Sequence, residues 1–468
     1  MQLALIKKSS PNEILKLKSA VMNHNQKIIN LQKNISLNKL KNSNLDFIQK
    51  FTTQHKLTNT LNNRNRIYTP EKTLSMFVSQ SLNQDGSCQN VVNKLALERD
   101  ERTSISTSGY CQARNRLSTL AITNLTKEIA IKNEQRVDSL WMFRDKNIYL
   151  VDGTTITMAD TISNQKKYPH TKTQKEGLGF PVCRIVAIIS LTTGSIIDAN
   201  VGQYSGKGTG EQALLRDMLH NFKRGDIILA DAMFSTYSLI SYAIEHGIDI
   251  VFVQNGARSR KTDFTKGKIL DKDDHILTMK KPKDNPEWMD EDEVKKIPKE
   301  LKIREMRVGG KILITTMLCP KRNTTKTIKK LYKERWHIEV DFRNIKITLG
   351  LKEFKCKSPK MVRKEMWTSF FAYNIIRSLM LDSALYNKIL PRTISFKNTL
   401  QLYLHSLENN IELNYEKLLK LIGEKVIGNR AGRIEPRLIK KRCNAYRLLM
   451  KPRSVARAEV IENGHPKM

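Results

Sequence analysis

Several things are scarce in this chain, and each scarcity removes a class of protein. Long apolar runs are missing. The longest, FPVCRIVAIISL at 180–191, carries Arg184 and falls short of the roughly 20 residues that a membrane-spanning helix needs. The opening MQLALIKKSS holds neither an adequate apolar stretch nor a secretory cleavage site. These absences point to a soluble, intracellular protein. Paired cysteines are missing too. Cys88, Cys111, Cys183, Cys319, Cys356 and Cys443 are scattered without a CxxC pair, which excludes a disulfide framework and a structural zinc site. They read as small core residues. The nine histidines show no ligand spacing, so any metal would be held by oxygens. Acidic residues are the last shortage: 46 Asp and Glu stand against 81 Lys and Arg, a formal net charge of +35. Self-repulsion on that scale calls for a polyanionic partner. Nucleic acid fits best, because every phosphate contact releases a condensed counterion. An acidic membrane surface is the rival reading, weakened by the absent apolar run.

The first 68 residues are rich in Lys, Asn, Leu and Gln. LQKNISLNKLKN reads as an amphipathic helix with a basic face, slightly more a solvated arm than a DNA reader. Pro70 opens a second helix in which Leu74, Phe77, Val78 and Leu82 share helical spacing. Asp85-Gly86 breaks it, and Ser87 is placed to cap the helix in SCQNVVNKLALER. SISTSGYCQARNRLS then opens another helix, and its Arg114 and Arg116 would suit a DNA-contacting helical domain.

From about 147 the texture changes to strands. NIYLVDG, VCRIVAIISL and SIIDANVG follow one another, the last two joined by the tight turn Thr192-Thr193-Gly194. EQALLRDMLHNF reads as a helix, DIILADA as a buried strand, STYSLISYAIEHG as a helix closed by Gly247, and DIVFVQN as a fifth strand. A three-stranded meander followed by helix, strand, helix and strand is the order of a ribonuclease H-like α/β core with a mixed sheet. In that topology the strand ending at Asp152 lies beside the strand ending at Asp231. Residues 256–325 interrupt the core with β-rich sequence, including LKIREMRV and KILITTML around the hairpin signal Gly309-Gly310. The expected division is a helical DNA-binding region at 1–140, the catalytic core at 141–255 and 326–385, the mainly β insertion at 256–325, and a helical, basic C-terminal region at 386–468.

KKLYKERWHIEVDFRNIKITLGL reads as part of one long helix from about 326. At about 100° per residue, Tyr332, Arg335, Glu339, Arg343 and Lys346 share a narrow face. Leu331, Ile338, Phe342, Ile345 and Leu349 make an apolar stripe beside it, and Glu334 and Asp341 point elsewhere. A basic amphipathic helix with i,i+4 ion pairs would show the same pattern, each pair worth only about 0.2–0.5 kcal/mol. The functional reading gives Glu339 a metal and the cations around it phosphates; those cations would lower its pKa and keep it ionised.

Tyr332-x-x-Arg335-x-x-x-Glu339-x-x-x-x-x-x-Lys346 resembles the signature of the insertion-sequence-four family of DDE transposases. DGTTITMADT around Asp152 and LADAMFSTY around Asp231 resemble its two aspartate blocks, and GSCQNVVNKL, GYCQARNRLS, QKEGLGFP and CKSPKMVRKEMW look familial as well. The resemblance covers most of the chain. It implies that Asp152, Asp231 and Glu339 are catalytic and bind Mg²⁺, for which Mn²⁺ can substitute, with Tyr332, Arg335, Lys346 and Arg343 on DNA. Two such ions can activate a nucleophile and stabilise the leaving oxygen of an in-line displacement. The implied partners are the double-stranded DNA of transposon ends and target, bound by a homodimer in a synaptic complex, in the bacterial cytoplasm at the nucleoid. A hairpin intermediate stays open. So do two rivals, a related nuclease that does not join and an inactive, transposase-derived DNA-binding protein.

Trp288 in the insertion could stack on an extruded base. Trp336 is its competitor, and simple packing is the commoner role for either. Asp160, Asp198, Glu211 and Asp226 read as caps, turns or ion pairs, and His337 as structural or solvated.

Overall fold

The computed structural model describes residues 67–97, 104–171, 177–206, 208–283, 291–408, 414–427 and 451–463. The basic helix expected near 31–42, Trp288 and most of the basic tail therefore lie outside the described residues.

Among the described residues four α-helices lead in. In α1 (Pro70–Leu82) a proline at the first position needs no amide partner, and the Thr69 hydroxyl caps the Lys72 N–H at 3.3 Å. Ser87 Oγ accepts from Asn90 N–H at 3.1 Å at the start of α2 (Cys88–Leu97). α3 (Ser108–Arg116) and α4 (Thr119–Gln135) complete the set. Leu74, Phe77, Val78, Ile122, Leu125 and Ile129 are buried in the same cluster as one face of the central sheet.

The sheet carries the expected ribonuclease H-like order and then continues. β1 (Ile148–Met158), β2 (Val182–Ser190) and β3 (Ile196–Gln203) form an antiparallel meander, with a short α5 (Ile162–Lys167) after β1. α6 (Glu211–Arg216) leads to β4 (Ile227–Ala230), and α7 (Tyr237–Glu245) to β5 (Asp249–Val253). β4 pairs parallel with β1, and β5 parallel with β4. Both faces are covered, as parallel strands require. Ile148 and Leu150 pack into the cluster formed with the long helices, while Tyr149 and Val151 pack toward Leu214, Leu215 and Ile240 on the other side. Each such apolar side chain contributes about 1.5–3 kcal/mol by leaving water.

The sequence between 256 and 325 supplies β6 (Lys268–Asp271), β7 (Asp274–Lys280), β8 (Glu300–Val308) and β9 (Lys311–Thr315). Gly309, at φ 62°, turns the β8–β9 hairpin, whose closing pair is Val308 with Lys311. β9 docks antiparallel on β5, so one sheet runs β3-β2-β1-β4-β5-β9-β8-β7-β6.

The long helix expected from about 326 is instead three pieces. α8 (Thr325–Lys333) stops and α9 (Trp336–Arg343) starts after a tightened turn, in which Glu334, Arg335 and Ile338 donate to carbonyls three residues back. Residues 344–348 then widen into a π turn. Opposing ties account for the break: Arg335 is drawn to Asp152 while Asp341 is drawn into the core. β10 (Glu353–Phe354) adds to β1, and α10 (Pro359–Asn387), α11 (Phe396–Glu408), α12 (Tyr415–Glu424) and α13 (Arg453–Asn463) follow.

Candidate active site

Leu150 of β1 stands opposite Leu229 of β4. Two residues further along that register, Asp152 comes abreast of Asp231, where β4 ends at a sharp turn. Asp231 anchors that turn by accepting the Met233 N–H at 2.8 Å. Asp152 accepts the N–H of Gly153 at 2.8 Å. Burial pushes the Asp152 carboxyl up to about 6, and the negative fields of Asp231 and Glu211 add to it; the Gly153 N–H and Arg335 oppose the rise.

Arg335 joins the other side of the site. Its Nη1 donates to Asp152 Oδ2 at 3.2 Å and its Nη2 to Glu339 Oε1 at 2.6 Å. The three side chains retain 14%, 19% and 37% of their exposure for Arg335, Asp152 and Glu339, so the site opens to solvent on the Glu339 side. Tyr332 packs 6.0 Å from the Arg335 guanidinium. Its hydroxyl is raised by burial, with Arg335 opposing and both aspartates adding. Lys346 reaches back to β1, donating to the Thr155 carbonyl at 2.8 Å, and its burial holds the ammonium below the usual range. Arg343 is exposed, as is Trp336. Trp288 lies outside the described residues.

Glu211 was read as an ordinary cap or ion pair, yet it sits in this cluster. A Cβ on Gly153 would lie 2.2 Å from Glu211 Oε1 and 2.3 Å from its Cδ. Glycine after Asp152 is thus what admits a fourth carboxylate beside the first. Glu211 is held by Arg184 at 3.8 Å, and burial raises its carboxyl, with the charge of Asp231 adding. Arg184 is fixed in turn by a 3.0 Å bond to the Thr209 carbonyl. The clue in the sequence was Gly153 itself, where strand preference favours a β-branched residue. Asp198 meets Lys127 at 2.6 Å, Asp226 accepts from Lys223 N–H at 2.7 Å, and His337 faces Glu334 at 3.1 Å.

Among the described residues no three Asp, Glu, His or Cys side chains converge tightly enough to enclose a metal ion; the Arg335 guanidinium bridges Asp152 and Glu339 instead. The donor chemistry nonetheless suits a hard cation. The groups are all carboxylate oxygens, and Asp152 is lifted chiefly by burial and further by its acidic neighbours.

The profile of the transposase DDE domain matches residues 143–375, the span from β1 into α10. The transposase InsG of insertion sequence element IS4 from Escherichia coli (strain K12) is 24% identical over 335 residues, covering 69% of this chain and 72% of that protein. Among solved structures, the piggyBac transposase in a synaptic complex with hairpin DNA aligns over 82% of each chain at 9% identity and a TM-score of 0.40. The chain belongs to the insertion-sequence-four family of DDE transposases.

Proposed function

We propose that this protein cuts the ends of a DNA transposon and joins the freed 3′-OH to target DNA. In this reading Asp152, Asp231 and Glu339 hold Mg²⁺, with Mn²⁺ able to substitute. When bound, the divalent cations supply the positive charge that activates the attacking oxygen and stabilises the leaving one. The chain's own groups do the rest. Strands β1 and β4 fix the two aspartates side by side, and α9 presents Glu339 across from them. Arg335 is the resident counter-ion of Asp152 and Glu339. On a loaded site its fork is free to take a phosphate in two-point fashion. Tyr332, Lys346 and the exposed Arg343 extend that contact along the backbone, and Trp288 is assigned to a base near the cut. Acting on both ends of an element calls for a homodimer that synapses them.

The observation that carries this reading is the pairing of Leu150 with Leu229, which brings Asp152 abreast of Asp231, together with the Arg335 bridge to Glu339. Its test is a strand-transfer assay with purified protein, Mg²⁺, a labelled duplex carrying the element's terminal repeat, and a plasmid target. Metal-dependent nicking at the repeat boundary with joined product, absent in Asp231→Ala, is the expected result. Cutting without joining would identify a plain nuclease. Binding without cutting in Mg²⁺ or Mn²⁺ would identify an inactive DNA-binding relative.

A further inference from the structure

Two residues beyond Glu339, Asp341 is completely buried. A carboxylate there is strongly unfavourable unless it is paired and hydrogen-bonded. Asp341 is met by donors from elements distant in sequence. Tyr373 Oη donates to Oδ1 at 3.0 Å, Arg377 Nη2 donates to the same oxygen, and Arg392 Nη1 reaches both oxygens at 2.7 and 2.8 Å. Arg377 is itself fixed: its Nε donates to Tyr373 Oη at 2.8 Å, and its guanidinium lies 5.3 Å from the Phe396 ring. It also fills the space over Gly194, where a Cβ would stand 2.8 Å from Arg377 Cζ.

Arg392 carries the connection onward. Its Nε donates to the Leu191 carbonyl and its Nη2 to the Ser190 carbonyl, both at 2.6 Å. The Leu191 N–H donates to the carbonyl of Ile148, the first residue of β1, at 2.8 Å. A bonded path therefore runs from the helix that carries Glu339, through Asp341 and Arg392, to the strand that carries Asp152. Glu134 and Glu334 also lie in the field of Arg392 and offset the second positive charge of the cluster.

Buried ion clusters are poor stabilisers, since apolar residues of the same volume do as well or better. What they supply is a fixed orientation, and α9 needs one. It spans eight residues between a broken turn and a π turn, with little helix on either side to hold it. Residues two apart on a helix point about 200° apart, so an anchor at Asp341 sets the roll of the face that bears Glu339. A misplacement of about 1 Å at a reacting centre is enough for a rate loss on the order of 10²-fold.

We propose that Asp341, Arg377 and Arg392 form a clamp that sets the roll of α9 and so the separation of Glu339 from Asp152. All three are positioning residues, and the inference rests on Glu339 and Asp152 being the working carboxylates. The test uses the full chain on the element's terminal-repeat duplex, at saturating DNA and in single turnover. Arg392→Gln is expected to cut about 10- to 100-fold more slowly, with repeat affinity and melting profile close to wild type. Arg392→Lys, which keeps the charge on a single donor nitrogen, should recover part of the rate. The double variant Arg392→Gln with Glu339→Asp should lose less than the product of the single losses, because both act on one geometry. Tyr373→Phe, which removes only the hydroxyl between Asp341 and Arg377, serves if the arginine variants do not fold. Cutting at the wild-type rate, or a loss matched by the unfolded fraction in the same sample, overturns the clamp. Glu339→Gln is run alongside: if it cuts normally, the catalytic assignment itself has failed, whereas a silent Glu339→Gln beside a fully active Arg392→Gln removes only the clamp.

Discussion

The two sides of α9 carry charge in opposite ways. Toward the sheet end, Arg335 is the shared counter-ion of Asp152 and Glu339 in a partly open site, and burial with the fields of Asp231 and Glu211 pushes the Asp152 carboxyl up to about 6. Behind the same helix, Asp341 is fully buried and saturated by Tyr373, Arg377 and Arg392. The groups proposed for chemistry keep solvent-facing capacity on the Glu339 side. Asp341, by contrast, has both carboxylate oxygens engaged by donors. The contrast also separates two consequences of mutation: loss on the first side should appear as lost rate at unchanged stability, whereas on the second side deleting the buried carboxylate should cost stability and loosening one of its arginines should cost rate.

The sharpest break in that comparison is Asp152→Asn. Cleavage is expected to fall by at least about 10³-fold, as for other removals of a central catalytic group. The melting temperature should hold or rise, because burial already pushes this carboxyl up to about 6. Parallel cleavage and melting measurements on one preparation would reveal a stability loss, which the account does not allow. Next in size is Asp341→Leu, which leaves two buried guanidinium groups without their acceptor and should destabilise the fold by about 3–5 kcal/mol, read from denaturant midpoints. Gly153→Ala is smaller. Its methyl would collide with the Glu211 carboxylate, at a cost of about 1–3 kcal/mol for overpacking. Removing the obstacle should restore most of this, so the pair Gly153→Ala with Glu211→Ala is predicted to be markedly less than additive.

The smallest effect belongs to Lys364, another buried charge with its donors engaged, on the carbonyls of Arg114 at 3.2 Å and Asn115 at 2.6 Å. Burial pushes its ammonium down to about 8 from 10.5. The folded protein thus releases this proton before the unfolded chain does. Stability from this group is lowest below pH 8, where the charge is buried, and rises as pH climbs from about 8 to 10.5. The wild type minus Lys364→Met difference in stability should therefore rise across that window, and a flat difference would show that the group does not titrate there.

Much of this was legible before any coordinates. The apolar runs before Asp152 and Asp231 announced a meander and two crossovers, because a buried strand must be apolar on both faces; the expected strand end at Asp152 was wrong, since β1 continues to Met158 and holds Asp152 within its pairing with β2. Gly309-Gly310 announced its hairpin, since the turn needs a residue at ease with positive φ. Glu339 could be picked from helical angles over a short stretch. That arithmetic failed where the backbone left the regular helix at Glu334–Arg335 and again at Asn344, since a fixed angle per residue carries no knowledge of tertiary pull. Asp341 was read only as lying off the catalytic face; its partners Tyr373, Arg377 and Arg392 come from α10 and the segment after it, and no local pattern joins them. Glu211 does form the ion pair expected of it, with Arg184, but its place beside Asp152 depends on how α6 lands over Gly153, which no local pattern shows. The docking of β9 on β5 was likewise invisible, as pairing between distant strands leaves no periodic mark.

The most direct test of the account is single-turnover cleavage of a terminal-repeat duplex by Glu339→Gln, with the melting curve recorded on the same sample. The account predicts no detectable cutting, repeat binding retained, and stability within about 0.5 kcal/mol of wild type, as for a half-exposed side chain. Cutting at the wild-type rate would contradict it, because the open side of α9 would then hold no working carboxylate.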